Sequence, residues 1–202
     1  MKKQILLLIL TLLFALKGCG STPPGEDTQP PTDTEQNVCA PDRHKDEGND
    51  GYCDVCGDYV VVLVDLYSLN DLHGKFDDGD THIGVDEMTT YLKAAQKADE
   101  VSILLSAGDM WQGSAESNNT GGNIITDWMN ALDFDAMVLG NHEYDWGEEA
   151  IENNAEIAEF PFLAINIYEK DSRSPVDYCQ PSLLIDEGGV QVGIIGAMGD
   201  CY

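Results

Sequence analysis

Positive charge is scarce in this sequence. Ten Lys and Arg stand against 37 Asp and Glu, a formal net charge of −27 over 202 residues. Lys2, Lys3 and Lys17 all fall within the first 18 residues, so losing that segment takes the charge from −27 to −30. A chain this acidic repels phosphate backbones and anionic lipid head groups, which excludes nucleic acid as a partner. It attracts divalent cations in a general way and says nothing about fold. Histidine is scarce too: there are four, and His142 is the last. No internal repeat is visible.

The start, MKKQILLLILTLLFALKGC, is a short basic segment, an apolar stretch, then Gly18-Cys19. That order reads as an export signal rather than a membrane span or a core helix. Leu16, Gly18 and Cys19 resemble a bacterial lipobox, in which the cysteine is lipidated and becomes the mature N-terminus. An ordinary secretory signal with a chance cysteine is the alternative. The expectation is a signal peptide over 1–18 and an exported protein in the cell envelope, lipid-anchored at Cys19 to the outer face of the membrane. Residues 19–37, rich in proline, threonine and acid without apolar periodicity, read as a disordered, solvated tether.

Residues 38–58 are too few for a hydrophobic core, so they are stapled or disordered. Cys39, His44, Cys53 and Cys56 form a C-x4-H-x8-C-x2-C set that suits a tetrahedral structural zinc site. A disulfide with a spare thiol is a second reading, because an exported chain is open to oxidation. Calcium is a third, through Asp46, Asp50 and Asp54 around Gly51, although position 48 is not acidic and no Glu closes the loop.

From residue 59 the pattern changes. Continuous apolar runs at 59–69, 101–108, 135–140 and 161–168 read as buried strands, and 84–100, 121–133 and 148–160 have helical spacing. Strands alternating with helices imply a largely parallel α/β sheet covered on both faces. SLLIDEGGVQVGIIGAM then folds back as a hairpin around Glu187-Gly188-Gly189. Cys179 and Cys201 flank it and could pair.

Polar residues follow the apolar runs three times. Asn70-Asp71-Leu72-His73-Gly74 ends the first strand, Gly108-Asp109-Met110-Trp111-Gln112-Gly113 the second, and Gly140-Asn141-His142-Glu143-Tyr144-Asp145 the third. In an open α/β sheet the site lies beyond the carboxyl ends of the strands. Two residues apart on an extended chain, Asp71 and His73 share a face. With Asp109, Asn141, His142 and Asp145 they bring hard oxygen donors and imidazole to one edge. A carboxylate in the middle position can bridge two cations, and paired cations clamp a phosphoryl group for in-line displacement. Trp111 and Trp146 suit either stacking on a base or sugar or packing in the core. Glu143 could support the ligands from behind, and His82 reads as a surface loop residue.

The series D-x-H, G-D-x-x-x-G, G-N-H-[DE] resembles the calcineurin-like metallophosphoesterases. SLNDLHG, GDMWQGSAESNNTGG and LGNHEYDWG are similar to the bacterial 5′-nucleotidase/UDP-sugar hydrolase branch. The resemblance spans about residues 60–202 and implies a four-layer α/β/β/α fold holding two divalent metal ions. Manganese, zinc, iron and calcium all fit mixed oxygen and imidazole ligands. It implies Asp71 and His73 as ligands of one metal, Asp109 as the bridge and Asn141 on the second metal. His142 matches the histidine that polarises the phosphate or protonates the leaving group, with Asp145 orienting it. The substrate implied is a nucleotide or related phosphoester.

The family supplies further metal histidines, including a G-H-x-H element, beyond the region present here. The expectation over 59–202 is therefore a C-terminally truncated domain. With only Asp109 and Asn141 on the second cation, it is one that hydrolyses poorly. The competing expectation is a non-catalytic surface lipoprotein that binds metal or phosphate-containing ligands.

Overall fold

The computed structural model describes residues 44, 45, 47, 48, 52–58, 63–80, 82–98 and 101–199. The export signal, Cys19, the tether, Cys39, Asp46, Asp50 and Cys201 lie outside the described residues. Two units divide between Leu63 and Val64. In the smaller one, Cys53 N donates to Asp58 O and Gly57 N to Cys53 O, both at 2.8 Å, closing a tight turn over residues 53–58.

The larger unit begins with β1 (Val64–Leu69), α1 (Val85–Ala98) and β2 (Val101–Ser106). It continues with α2 (Ala115–Thr120), α3 (Asn123–Asn130), β3 (Ala136–Val138), α4 (Glu148–Ile157) and β4 (Phe162–Leu163). Strands β1 to β4 form one sheet in chain order, every pair parallel, with Val64 opposite Val101, Leu105 opposite Ala136 and Met137 opposite Phe162. Right-handed crossovers that always step in the same direction place every helix on the same face. The core shows this. Leu104, Met137 and Phe162 pack with Leu92 of α1, Ile125 and Met129 of α3 and Ile151 of α4.

Successive strand residues point to opposite faces, so Ile103, Leu105, Ala136 and Leu163 face the other way. They meet Val192 and Ile194 of a hairpin, β5 (Ser182–Glu187) and β6 (Val190–Ile195). Its two-residue turn is Gly188-Gly189, with φ of 59° and 78° as a type I′ turn requires. The sheet is thus covered on both faces, by helices on one and by a second, two-stranded sheet on the other. Of the four layers expected, the outer helices beyond the hairpin are not among the described residues.

Three expectations change. β1 reads as a buried strand in sequence, but among the described residues it lies at the edge of its sheet, paired with β2 alone, and Leu66 is 39% exposed. The fourth strand stops at Leu163 instead of residue 168; beyond it Ala164 N donates to Gln180 O, Ile165 N donates to Gly196 O, and the Asn166 side chain accepts from Met198 N and donates to Met198 O. Helix α2 is additional. AESNNT offers no apolar stripe, and the helix is held by its caps: Ser114 Oγ accepts from Ser117 N, and Gly121 closes it at φ 59°.

Candidate metal centre

Each strand of the first three runs straight into a loop, and the loops hydrogen-bond to one another beyond the sheet. Asp71 N donates to Gly108 O (3.0 Å), His73 N to Asp109 O (3.1 Å) and Gly74 N to Met110 O (2.8 Å). Asp71, His73 and Asp109 all adopt left-handed backbone, with φ of 56°, 51° and 56°. For residues with a Cβ this costs on the order of 1 kcal/mol each, and such strain gathers where the surroundings fix a functional geometry. The sequence argument that Asp71 and His73 share a face of an extended strand is corrected here. β1 has already ended, and a left-handed turn aims these residues.

The third loop closes over the second. Gly108 sits against the Gly140 backbone, where a Cβ would meet Gly140 Cα at 2.7 Å. That approach lets His142 N donate to Asp109 Oδ1 at 2.9 Å. Glu143, fully buried, binds the two loops together. Its Oε2 accepts from Asp109 N (2.9 Å) and Gly140 N (2.7 Å), and its Oε1 from Met110 N (2.8 Å) and Trp111 N (3.3 Å). Burial pushes its carboxyl above the ordinary glutamate value, while the N–H groups of Asp109, Met110 and Gly140 pull it back. Sequence places Glu143 behind the ligands. Its part in joining two loops has no signal in the sequence, because its partners are all backbone.

One ligand atom each from His73, Asp109 and His142 lie within 4.8 Å of one another, drawn from three strand ends. The His73 and His142 rings meet edge to face, 5.0 Å between centroids. His73 Nδ1 lies 2.8 Å from Gln112 O. A carbonyl only accepts, so Nδ1 carries the hydrogen and Nε2 the lone pair. His142 Nδ1 lies 2.8 Å from Asp145 Oδ2. That bond above all, helped by the charge of Asp109, raises the His142 pKa above the ordinary histidine value. Asp71 stands outside the three-residue cluster, and its carboxylate accepts from the Asn70 amide. Asn141 opens the short 3-10 turn His142–Tyr144 and is exposed.

Beside His73 lies an open cleft of about 380 Å³, lined in part by Lys75, Asp78, His82, Ser114 and Glu116. His82 is therefore an exposed loop residue that also borders the site. Trp111 is core, fully buried with its ring 5.7 Å from Phe162. Trp146 is partly buried and packs against the same core. A larger cleft, about 490 Å³, lies between the end of α4 and β5 and contains none of the candidate ligands.

A parallel sheet whose strand ends converge carboxylate and imidazole defines an α/β protein with a candidate cation site at the sheet edge. Residues 68–193 match the family model described as Calcineurin-like phosphoesterase. The chain belongs to the calcineurin-like phosphoesterase family. It is 36% identical to a snake venom 5′-nucleotidase of Crotalus adamanteus over 126 residues, 61% of this chain and 21% of that protein. It is 31% identical to protein UshA of Yersinia enterocolitica over 145 residues, 68% of this chain and 26% of that one. Among solved structures it superposes on a 5′-nucleotidase precursor from Thermus thermophilus with a TM-score of 0.60 at 26% identity, covering 66% of this chain and 28% of that one. The NAD nucleotidase of Haemophilus influenzae gives 0.59 at 26% identity, covering 66% and 26%. The chain spans about a quarter of the length of the curated relatives it matches.

Calcineurin-like phosphoesterases use divalent metal ions. The residues here fit them. His73 presents an imidazole lone pair, and Asp109 accepts one backbone bond through Oδ1. His142, within 4.8 Å of both, stands beside that pair with its Nδ1 held by Asp145.

Proposed function

We propose that the protein is a metal-dependent phosphoester hydrolase of 5′-nucleotidase type, acting on nucleotides or related phosphoesters. The convergence of His73, Asp109 and His142 from three strand ends carries this reading. Asp71 and His73 would hold one divalent cation, Asp109 would bridge, and Asn141 would bind a second. When bound, such cations neutralise phosphate charge and lower the barrier to attack by water.

The remaining work belongs to the chain. Asp145 holds the His142 ring through Nδ1, which leaves Nε2 to face the reacting phosphate. A His142 whose pKa is raised is well supplied with the proton that the leaving ester oxygen takes up as its bond to phosphorus breaks. Water supplies the new oxygen on phosphorus, and its proton restores the imidazolium. Lipid anchoring at Cys19 and location in the cell envelope remain part of the proposal.

The test is phosphate release from 5′-AMP with manganese, zinc, iron or calcium. Asp109→Asn keeps the shape of the side chain but removes the charge shared by two cations, so metal content and turnover both fall, turnover by orders of magnitude. His142→Asn leaves metal content unchanged and lowers kcat by on the order of 10²–10⁴-fold. Unchanged metal content and turnover in Asp109→Asn would refute that ligand assignment. Nucleotide binding without cleavage under every cation would favour the binding-protein reading instead.

A further inference from the structure

The smaller unit carries a second donor cluster. His44, Cys53 and Cys56 each place a ligand atom within 4.8 Å of the others, and Cys56 Sγ lies 3.3 Å from His44 Nδ1. Two ligands of a tetrahedral zinc ion, with Zn–S near 2.3 Å and Zn–N near 2.0 Å, stand roughly 3.3–3.8 Å apart. The observed pair already has that spacing.

The backbone is arranged for sulfur as well. Residues 53–57 make a tight turn that Gly57 completes at φ 76°. Its shape aims the N–H groups of Val55 and Cys56 at Cys53 Sγ, and Lys45 N adds a third donor at 3.4 Å. Backbone N–H groups pointed at a sulfur offset the charge that a thiolate ligand carries. Cys53 is 2% exposed in a segment with almost nothing else buried, so the turn is organised around that sulfur.

Of the three acids that offered a calcium reading, Asp54 is the one among the described residues. One of its oxygens accepts from Glu47 N at 2.6 Å, a backbone cap rather than a cation ligand. Two sulfurs and an imidazole are soft donors that select zinc over calcium.

We propose that His44, Cys53 and Cys56 bind a structural zinc ion, separate from the strand-end centre, that orders this unit. Cys39, the fourth member of the sequence set, lies outside the described residues. Binding a structural metal and folding are one equilibrium in so small a unit, so removing the metal releases the 53–58 turn while the larger unit keeps its sheet.

Cobalt(II) titration of the metal-free, reduced full chain tests this. Sulfur-to-cobalt charge transfer produces a near-ultraviolet band that the oxygen and nitrogen donors of the strand-end centre cannot give, so the two centres are read separately. One equivalent should develop that band together with the red d–d bands of a tetrahedral ion, and zinc should bleach both. Cys53→Ser and Cys56→Ser should each weaken the band, and the double variant should lose it, while the thermal transition of the larger unit stays in place. Absence of the band in the wild-type chain would overturn the proposal, as would an undiminished band in the double variant. So would mass mapping of metal-free protein, purified without reductant, that finds Cys53 or Cys56 in a disulfide.

Discussion

A carboxylate with no exposure ordinarily needs a cation, yet Glu143 meets four backbone N–H groups. Both of its oxygens accept, so an amide in its place turns an NH2 group toward donors that have no alternative partner. Glu143→Gln is therefore expected to cost about 1–3 kcal/mol of stability, the usual penalty for unmade buried hydrogen bonds. It should also weaken cation uptake, because the Asp109 and Gly140 backbones lose their common acceptor. Denaturant unfolding followed by metal analysis checks both. A purely structural role would lower the midpoint and leave the metal content of the folded fraction unchanged. His142 belongs to the same scale. Its bond to Asp145 is exposed, with the two side chains 37% and 38% accessible, so it orients the ring and adds little to folding.

Elements differ in how far sequence foretells them. β2 and β3 are runs of apolar residues bounded by polar ones, and alternate positions face the helices and the hairpin, so both were legible. The three loops were legible as well, because Asp71, His73, Asp109 and His142 each follow an apolar run. Their aim was not. Left-handed φ at Asp71, His73 and Asp109 is imposed by loop-to-loop hydrogen bonds that no local pattern records. Helix α2 escaped because a polar helix stabilised by its caps has no apolar period. The second face of the sheet shows what the hairpin contributes. Ile194, 6% exposed, packs among Ile103, Leu105, Ala136 and Leu163. Ile194→Ala is expected to cost about 2–5 kcal/mol, from lost burial and the cavity left behind. Thermal unfolding with matched circular dichroism spectra measures it, and a change below about 0.5 kcal/mol would show that the hairpin does not seal that face.

For the molecule as a whole, the location proposed above can be tested at one residue. If Cys19 carries lipid, Cys19→Ala abolishes incorporation of a labelled fatty acid while export continues, and label retained by the variant would disprove lipidation there. The described residues contain no helix long and apolar enough to cross a membrane. One further consequence follows from the Glu143 carboxylate. The amides it receives come from two stretches, 109–111 and 140, far apart along the chain yet sharing one acceptor. None of them can be released to solvent deuterium alone without stranding part of a buried charge, so their exchange should proceed as a single opening event with a common protection factor. The two loops would then breathe together, and a fluctuation that loosens the bridging aspartate would loosen the histidine loop within the same opening.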